Sequence, residues 1–69
     1  MFIVLTSPDS TKVRVNAMSI SSYFTYDVFT KETELKKQTR ILMNNGSSIE
    51  VVEPSNEIDH ALEHHFHLV

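Results

Sequence analysis

The chain has 69 residues, no cysteine, one glycine and a net charge of −3 with its histidines neutral. A chain of this length makes one domain, residues 1–69, that buries only about 60% of its unfolded surface, so self-association is the expected supplement to a small core. Absent cysteine excludes disulfides and thiolate zinc sites, and the acidic balance disfavours a nucleic-acid partner.

Residues 2–6, Phe-Ile-Val-Leu-Thr, are β-branched and aromatic enough for a first strand. The longest wholly apolar run, Met1 to Leu5, falls far short of the roughly 20 residues a membrane span needs. It also lacks the basic flank and cleavage site of a signal peptide, so the expected address is the cytoplasm of a bacterium or an infected host cell. Ser7-Pro8-Asp9-Ser10 is turn chemistry: proline presets φ and aspartate bonds its own backbone. In residues 12–16 Val13 and Val15 alternate with Lys12 and Arg14, so the first two strands read as a hairpin.

A short turn at Asn16–Ser19 leads into a third strand, 20–29. Strict alternation puts Ile20, Ser22, Phe24, Tyr26 and Val28 on one face and Tyr23, Thr25, Asp27 and Phe29 on the other. Phe24 and Tyr26 are expected in the core. Tyr23 and Phe29 are left as candidate partner contacts, because aromatic side chains are enriched at interfaces. Thr30 to Gln38 is charged and reads as a projecting loop or the solvated extension of a long hairpin.

Strands four and five, 38–44 and 47–53, flank Asn44-Asn45-Gly46. A two-residue turn would set Leu42 opposite Ile49. A three-residue loop with Gly46 left-handed sets Ile41 opposite Ile49 and Arg40 opposite Glu50 instead. The second register is preferred, since it gathers Ile41, Met43, Ile49 and Val51 on one face and pairs opposite charges on the other. Leu42 and Val52 then point away, where a barrel or helix would cover part of them.

Pro54 suits a first helical turn and Ser55 a cap, giving a helix over 55–67. Ile58, Ala61, Leu62, His65, Phe66 and Val69 share its apolar stripe. The predicted fold class is α+β: a small antiparallel five-stranded sheet or SH3-like open barrel with one C-terminal helix.

Val4-Leu5-Thr6, Val13-Arg14-Val15-Asn16 with Ile20, then Ile41-Leu42-Met43-Asn44-Asn45-Gly46, Ile49-Glu50-Val51, Glu53 and Glu57-Ile58 make a pattern. It resembles the FlbD-like small proteins linked to bacterial flagella, with similar short proteins in phage genomes. The chain departs from it in the order Pro54-Ser55, in a longer 30–38 segment and in its histidine-rich end. The resemblance implies a non-enzymatic accessory or interaction protein.

Candidate sites are few. The only glycine is Gly46, so no glycine-rich phosphate cradle or nucleophile elbow exists, and no enzyme activity is expected. The expected function is a protein-interaction module, a bacterial accessory factor or a phage protein that binds a host assembly. Tyr23, Phe29, Lys36, Lys37 and Arg40 are its candidate contacts, with a homodimer as the expected state. One alternative is nucleic-acid binding by the basic 31–40 hairpin, though Glu32 and Glu34 dilute Lys31, Lys36, Lys37 and Arg40. Another is a metal- or pH-responsive module. His60 and His64 stand four apart, as two imidazoles on one divalent ion require, but a polar helix face holding no metal or cofactor is the preferred reading.

Overall fold

The computed structural model describes residues 1–29 and 34–66. Lys31, the side chains of His65 and Phe66, and residues 67–69 lie outside the described residues, and with them the expectations placed on Lys31, His65, Phe66 and Val69 and the last residue of the expected helix. In chain order run β1 (Phe2–Thr6), β2 (Lys12–Asn16), a 3₁₀ turn (Ala17–Ser19), β3 (Ile20–Phe29), β4 (Leu35–Met43), β5 (Ser48–Val51) and α1 (Ser55–Phe66). The fourth strand therefore starts three residues earlier than the sequence suggests, and the fifth is shorter at both ends.

The class is α+β, but the strands do not form one five-stranded sheet. They form two antiparallel sheets, β1-β2 and β3-β4-β5, with β4 central in the second. Between the sheets, β5 stops at Val51, and the following Val52 N–H donates to the Thr6 carbonyl of β1 at 2.8 Å. Pro54, two residues on, has no N–H with which to continue such a ladder. The separation follows from that short overlap and from the 3₁₀ turn, which breaks the chain between β2 and β3.

Both tight hairpins use one loop design. In the second, the Met43 N–H donates to Ser47 at 2.8 Å and the Gly46 N–H to Met43 at 3.0 Å, with Gly46 at φ 90°. In the first, the Ser7 N–H donates to Thr11 at 2.8 Å and the Ser10 N–H to Ser7 at 2.9 Å, with Ser10 at φ 74°. The middle residue of each loop, Asp9 or Asn45, accepts a backbone bond from two residues on, at 3.0 Å in both. At Asp9 the bonds from Thr11 hold the carboxyl below its ordinary value. The three-residue loop sets the β4–β5 register as expected, with Ile41 opposite Ile49 and Arg40 opposite Glu50.

The core lies between the sheets. Ile3, Leu5, Val15 and Ala17 come from the first hairpin and its turn, Ile41 and Val51 from β4 and β5, and Ile58 from the helix. At its edge sits Thr39, the one buried polar side chain among the described residues, fully shielded from solvent. Its hydroxyl donates to the Glu53 carbonyl at 2.7 Å and lies 3.0 Å from the Thr25 hydroxyl, its cross-strand neighbour. The Thr25 oxygen also lies 2.6 Å from the Ser55 hydroxyl and accepts the Ser55 N–H at 2.9 Å.

Each hydroxyl has one proton, which orders the chain of donation. Thr39 uses its proton on Glu53, so Thr25 donates to Thr39, and Ser55 donates to Thr25. Ser55 thus does not cap the helix as expected. A threonine of β3 satisfies its N–H instead, while the Pro54 carbonyl accepts from Glu57 and Ile58 at 3.0 and 3.3 Å. Glu53 completes the corner by accepting the Thr6 N–H on its carboxylate at 2.9 Å. One four-residue bend, 52–55, is thereby tied to β1, β3 and β4.

Candidate interaction surface

β3 changes face where its register shifts. Ile20 stands opposite Met43 but Ser22 opposite Leu42, so Ser21 is an extra residue. This bulge turns Ile20 onto the same face as Tyr23, and both pack against the core. The expectation that Phe24 and Tyr26 fill the core is overturned: the bulge leaves them on the outer face, where Phe24 is 46% exposed.

On that outer face the cross-strand register sets Phe24 beside Arg40 and Arg40 beside Glu50. The Tyr26 hydroxyl donates to Glu50 Oε2 at 2.6 Å, and Arg40 Nε and Nη2 donate to Oε1 at 3.0 and 2.5 Å. The Arg40 guanidinium lies 5.6 Å from the Tyr26 ring centroid, and the Phe24 and Tyr26 rings are 6.0 Å apart and tilted. Glu50 therefore has both oxygens occupied by donors. The Tyr26 bond, then the Arg40 bond, hold its carboxyl below the ordinary range. Its own bond to Glu50 raises the Tyr26 phenol, and the Arg40 bond to Glu50 stabilises the charged guanidinium.

Around this locked trio lie apolar side chains without cover. Leu42 and Val52, which the sequence reading placed under a barrel or helix, are exposed with Phe24. The surface is a neutral charge pair framed by aromatic and aliphatic groups. Exposed apolar patches rimmed by polar groups occur at contact sites, and tyrosine and arginine are enriched among the residues that dominate contact energetics.

The candidate contacts from sequence divide into three places. Arg40 belongs to the trio. Phe29, Lys36 and Lys37 sit on the β3–β4 extension, where Phe29 faces Leu35, Val28 faces Lys36 and Lys37 pairs with Asp27 at 3.1 Å. Phe29 is 76% exposed. Tyr23 is elsewhere: its ring packs on the core side and its hydroxyl donates to Asp59 of α1. Burial and then that bond push its phenol up to about 12.

His60 and His64 are exposed on α1, and among the described residues no group of three histidine, cysteine, aspartate or glutamate side chains is arranged to hold a metal. Among those residues, too, no helix is long and apolar enough to cross a membrane. Glu50, Phe24, Leu42 and Val52 were not among the expected contacts. The Arg40–Glu50 register was the one signal in the sequence that led toward them. No protein-family model, curated protein or solved structure matches the chain.

Proposed function

We propose that the chain is a non-enzymatic protein-interaction module, of the kind a bacterial accessory factor or a phage protein uses to engage a host protein assembly in the cytoplasm. The observation that carries this reading is the Phe24–Tyr26–Arg40–Glu50 cluster. Its side chains are already ordered by each other, so docking a partner there sacrifices little side-chain freedom. Leu42 and Val52 extend it with apolar surface that the fold itself does not use. The likeness to FlbD-like proteins leads the same way. In this reading the two sheets, bridged by the Val52–Thr6 bond, make an SH3-like open barrel that serves as a platform.

Nucleic-acid binding draws less support. Lys37 and Arg40, two of its supposed phosphate contacts, are engaged with Asp27 and Glu50. Self-association belongs to the same proposal and is assigned to the β3 edge. That strand has ten residues and one charge, Asp27, whereas the opposite edge, β5, has only four residues and runs into Pro54. A long strand edge with few charges is a template for pairing with a second copy.

The test is photo-crosslinking from position 24, carrying a benzophenone side chain, in bacterial cells. Capture of one discrete protein, lost when Arg40→Glu breaks the ion pair, supports the reading. A ladder of abundant proteins unaffected by Arg40→Glu, or no product, refutes it.

A further inference from the structure

We propose that Asn45 is a modification site: a spontaneous, fold-assisted deamidation with water as the sole co-reactant. The inference rests on the geometry of the β4–β5 loop and is independent of the proposed function. Asn45 precedes the chain's only glycine, and both are exposed at the hairpin tip. Gly46 carries no side chain to crowd its own nitrogen, the atom that must attack, and the space a Cβ would take there is open to at least 4 Å.

The step is an intramolecular acyl transfer. The Gly46 nitrogen forms a bond to the Asn45 side-chain carbonyl carbon, the Gly46 amide proton passes to the departing group, and the carbon–Nδ2 bond breaks to release ammonia. The five-membered imide that results adds water at either carbonyl, giving aspartate or isoaspartate. In the first bond-forming step negative charge develops on Asn45 Oδ1. That oxygen already accepts two donors, the Ser47 N–H at 3.0 Å and the Ser47 hydroxyl at 2.7 Å. Donors placed in advance on an oxygen that gains charge favour the transition state over the ground state. Against this, the Gly46 N–H must leave the Met43 carbonyl, a single bond of 3.0 Å at an exposed tip.

Asn16 is an internal control. Its Oδ1 accepts the Met18 N–H at 3.0 Å, yet the following residue is the buried Ala17, whose N–H donates to Met1. It should not react. The isoaspartate product would insert an extra carbon into the main chain of a three-residue loop and disturb the Arg40–Glu50 register.

The experiment incubates the folded chain at pH 8 and follows the amide-to-acid mass change, with peptide mapping to locate it, in parallel with the chain unfolded in urea. We expect reaction confined to Asn45 and strongly slowed by Gly46→Ala, whose side chain crowds the attacking nitrogen. In the folded chain Ser47→Ala should slow it about fivefold, as loss of one ordinary hydrogen bond implies. In urea Ser47→Ala and the parent should react alike. A folded parent that stays intact while the unfolded chain reacts, or a folded Ser47→Ala chain that reacts as fast as the parent, overturns the proposal.

Discussion

Replacing Thr39 by valine keeps the shape of a side chain fully shielded from solvent and removes one hydroxyl. The Glu53 carbonyl loses its donor at 2.7 Å. Thr25 loses its acceptor; it can turn its proton to the Ser55 oxygen 2.6 Å away if the half-buried Ser55 hydroxyl turns its own to solvent, which leaves the Glu53 carbonyl as the group without a donor. An unpaired buried acceptor costs about 1–3 kcal/mol. The extra methyl group returns about 0.8 kcal/mol by burial, leaving a net loss of roughly 0.2–2.2 kcal/mol. A domain of this length has a total stability of about 3–10 kcal/mol, so the upper end of that loss is a large share. At 4–8 °C per kcal/mol, the melting temperature should fall by roughly 1–18 °C.

Two comparisons isolate the cause. Thr39→Ser retains the hydroxyl and gives up one methyl group, so by the burial value alone it should lose about 0.8 kcal/mol plus a small cavity term. A double-mutant cycle between Thr39→Val and Ser55→Ala in urea should give a coupling of at least about 0.5 kcal/mol, because both act on the Thr25 hydroxyl. A valine variant as stable as the parent, with an additive cycle, would refute the ordered chain of hydroxyls.

At Gly46, alanine meets no steric obstacle, so only the positive φ opposes it. Gly46→Ala should lower stability by about 1 kcal/mol in urea denaturation, and an unchanged midpoint would contradict the left-handed loop. The raised Tyr23 phenol makes an alkaline prediction. Its folded value near 12 lies above the ordinary 10.0, so its contribution is fully present below pH 10 and is lost as pH rises through 12. Ultraviolet titration should show a late tyrosinate step that Tyr23→Phe removes; a single step at the ordinary value would exclude the Asp59 bond. Glu50 works in the opposite sense. Its value is lowered from 4.5, so its contribution is present above that pH and fades as acid carries the solution through the lower folded value. Glu50→Gln should flatten the acid limb of stability, and a limb of unchanged steepness would assign it to other carboxylates. Light scattering across the micromolar range should give twice the 7.9 kDa chain mass, and a monomer throughout would remove the β3-edge dimer.

What could be read from the sequence was whatever local chemistry decides. Gly46 dictates a left-handed loop residue, and a period of two then carries the register outward to Arg40 and Glu50. The first hairpin was legible through Pro8-Asp9 and alternating valines. The face of β3 was not. A single bulged residue, Ser21, reverses the alternation, and serine repeats at 19, 21 and 22 offer no mark of which one is extra. The β3–β4 pairing was equally hidden, because the 30–34 connection has no turn residue to anchor a register. Without it, Phe24 could not be placed beside Arg40, and the aromatic cluster stayed invisible although each of its members was in view.

The same bulge explains why the binding candidates and the fold's polar lock lie on opposite faces of one strand. After Ser21, even positions of β3 face outward and odd positions inward. Phe24 and Tyr26 thus meet Arg40 and Glu50, while Tyr23 and Thr25 meet the helix and the 52–55 bend. The inner face must satisfy a buried hydroxyl and the start of a helix, so its residues are constrained by hydrogen bonding. The outer face gives the fold the Arg40–Glu50 ion pair, the Tyr26 bond to the same carboxylate and the ring contacts around them, all solvent-facing, and exposed ion pairs contribute little to stability. Substitutions at Phe24, Arg40 or Leu42 should therefore alter partner binding with small changes in melting temperature, while Thr25→Val should do the reverse. That contrast makes the two roles separable by experiment. If Phe24→Ala destabilises the chain as much as Thr25→Val does, the outer cluster supports the fold and its assignment to a partner fails.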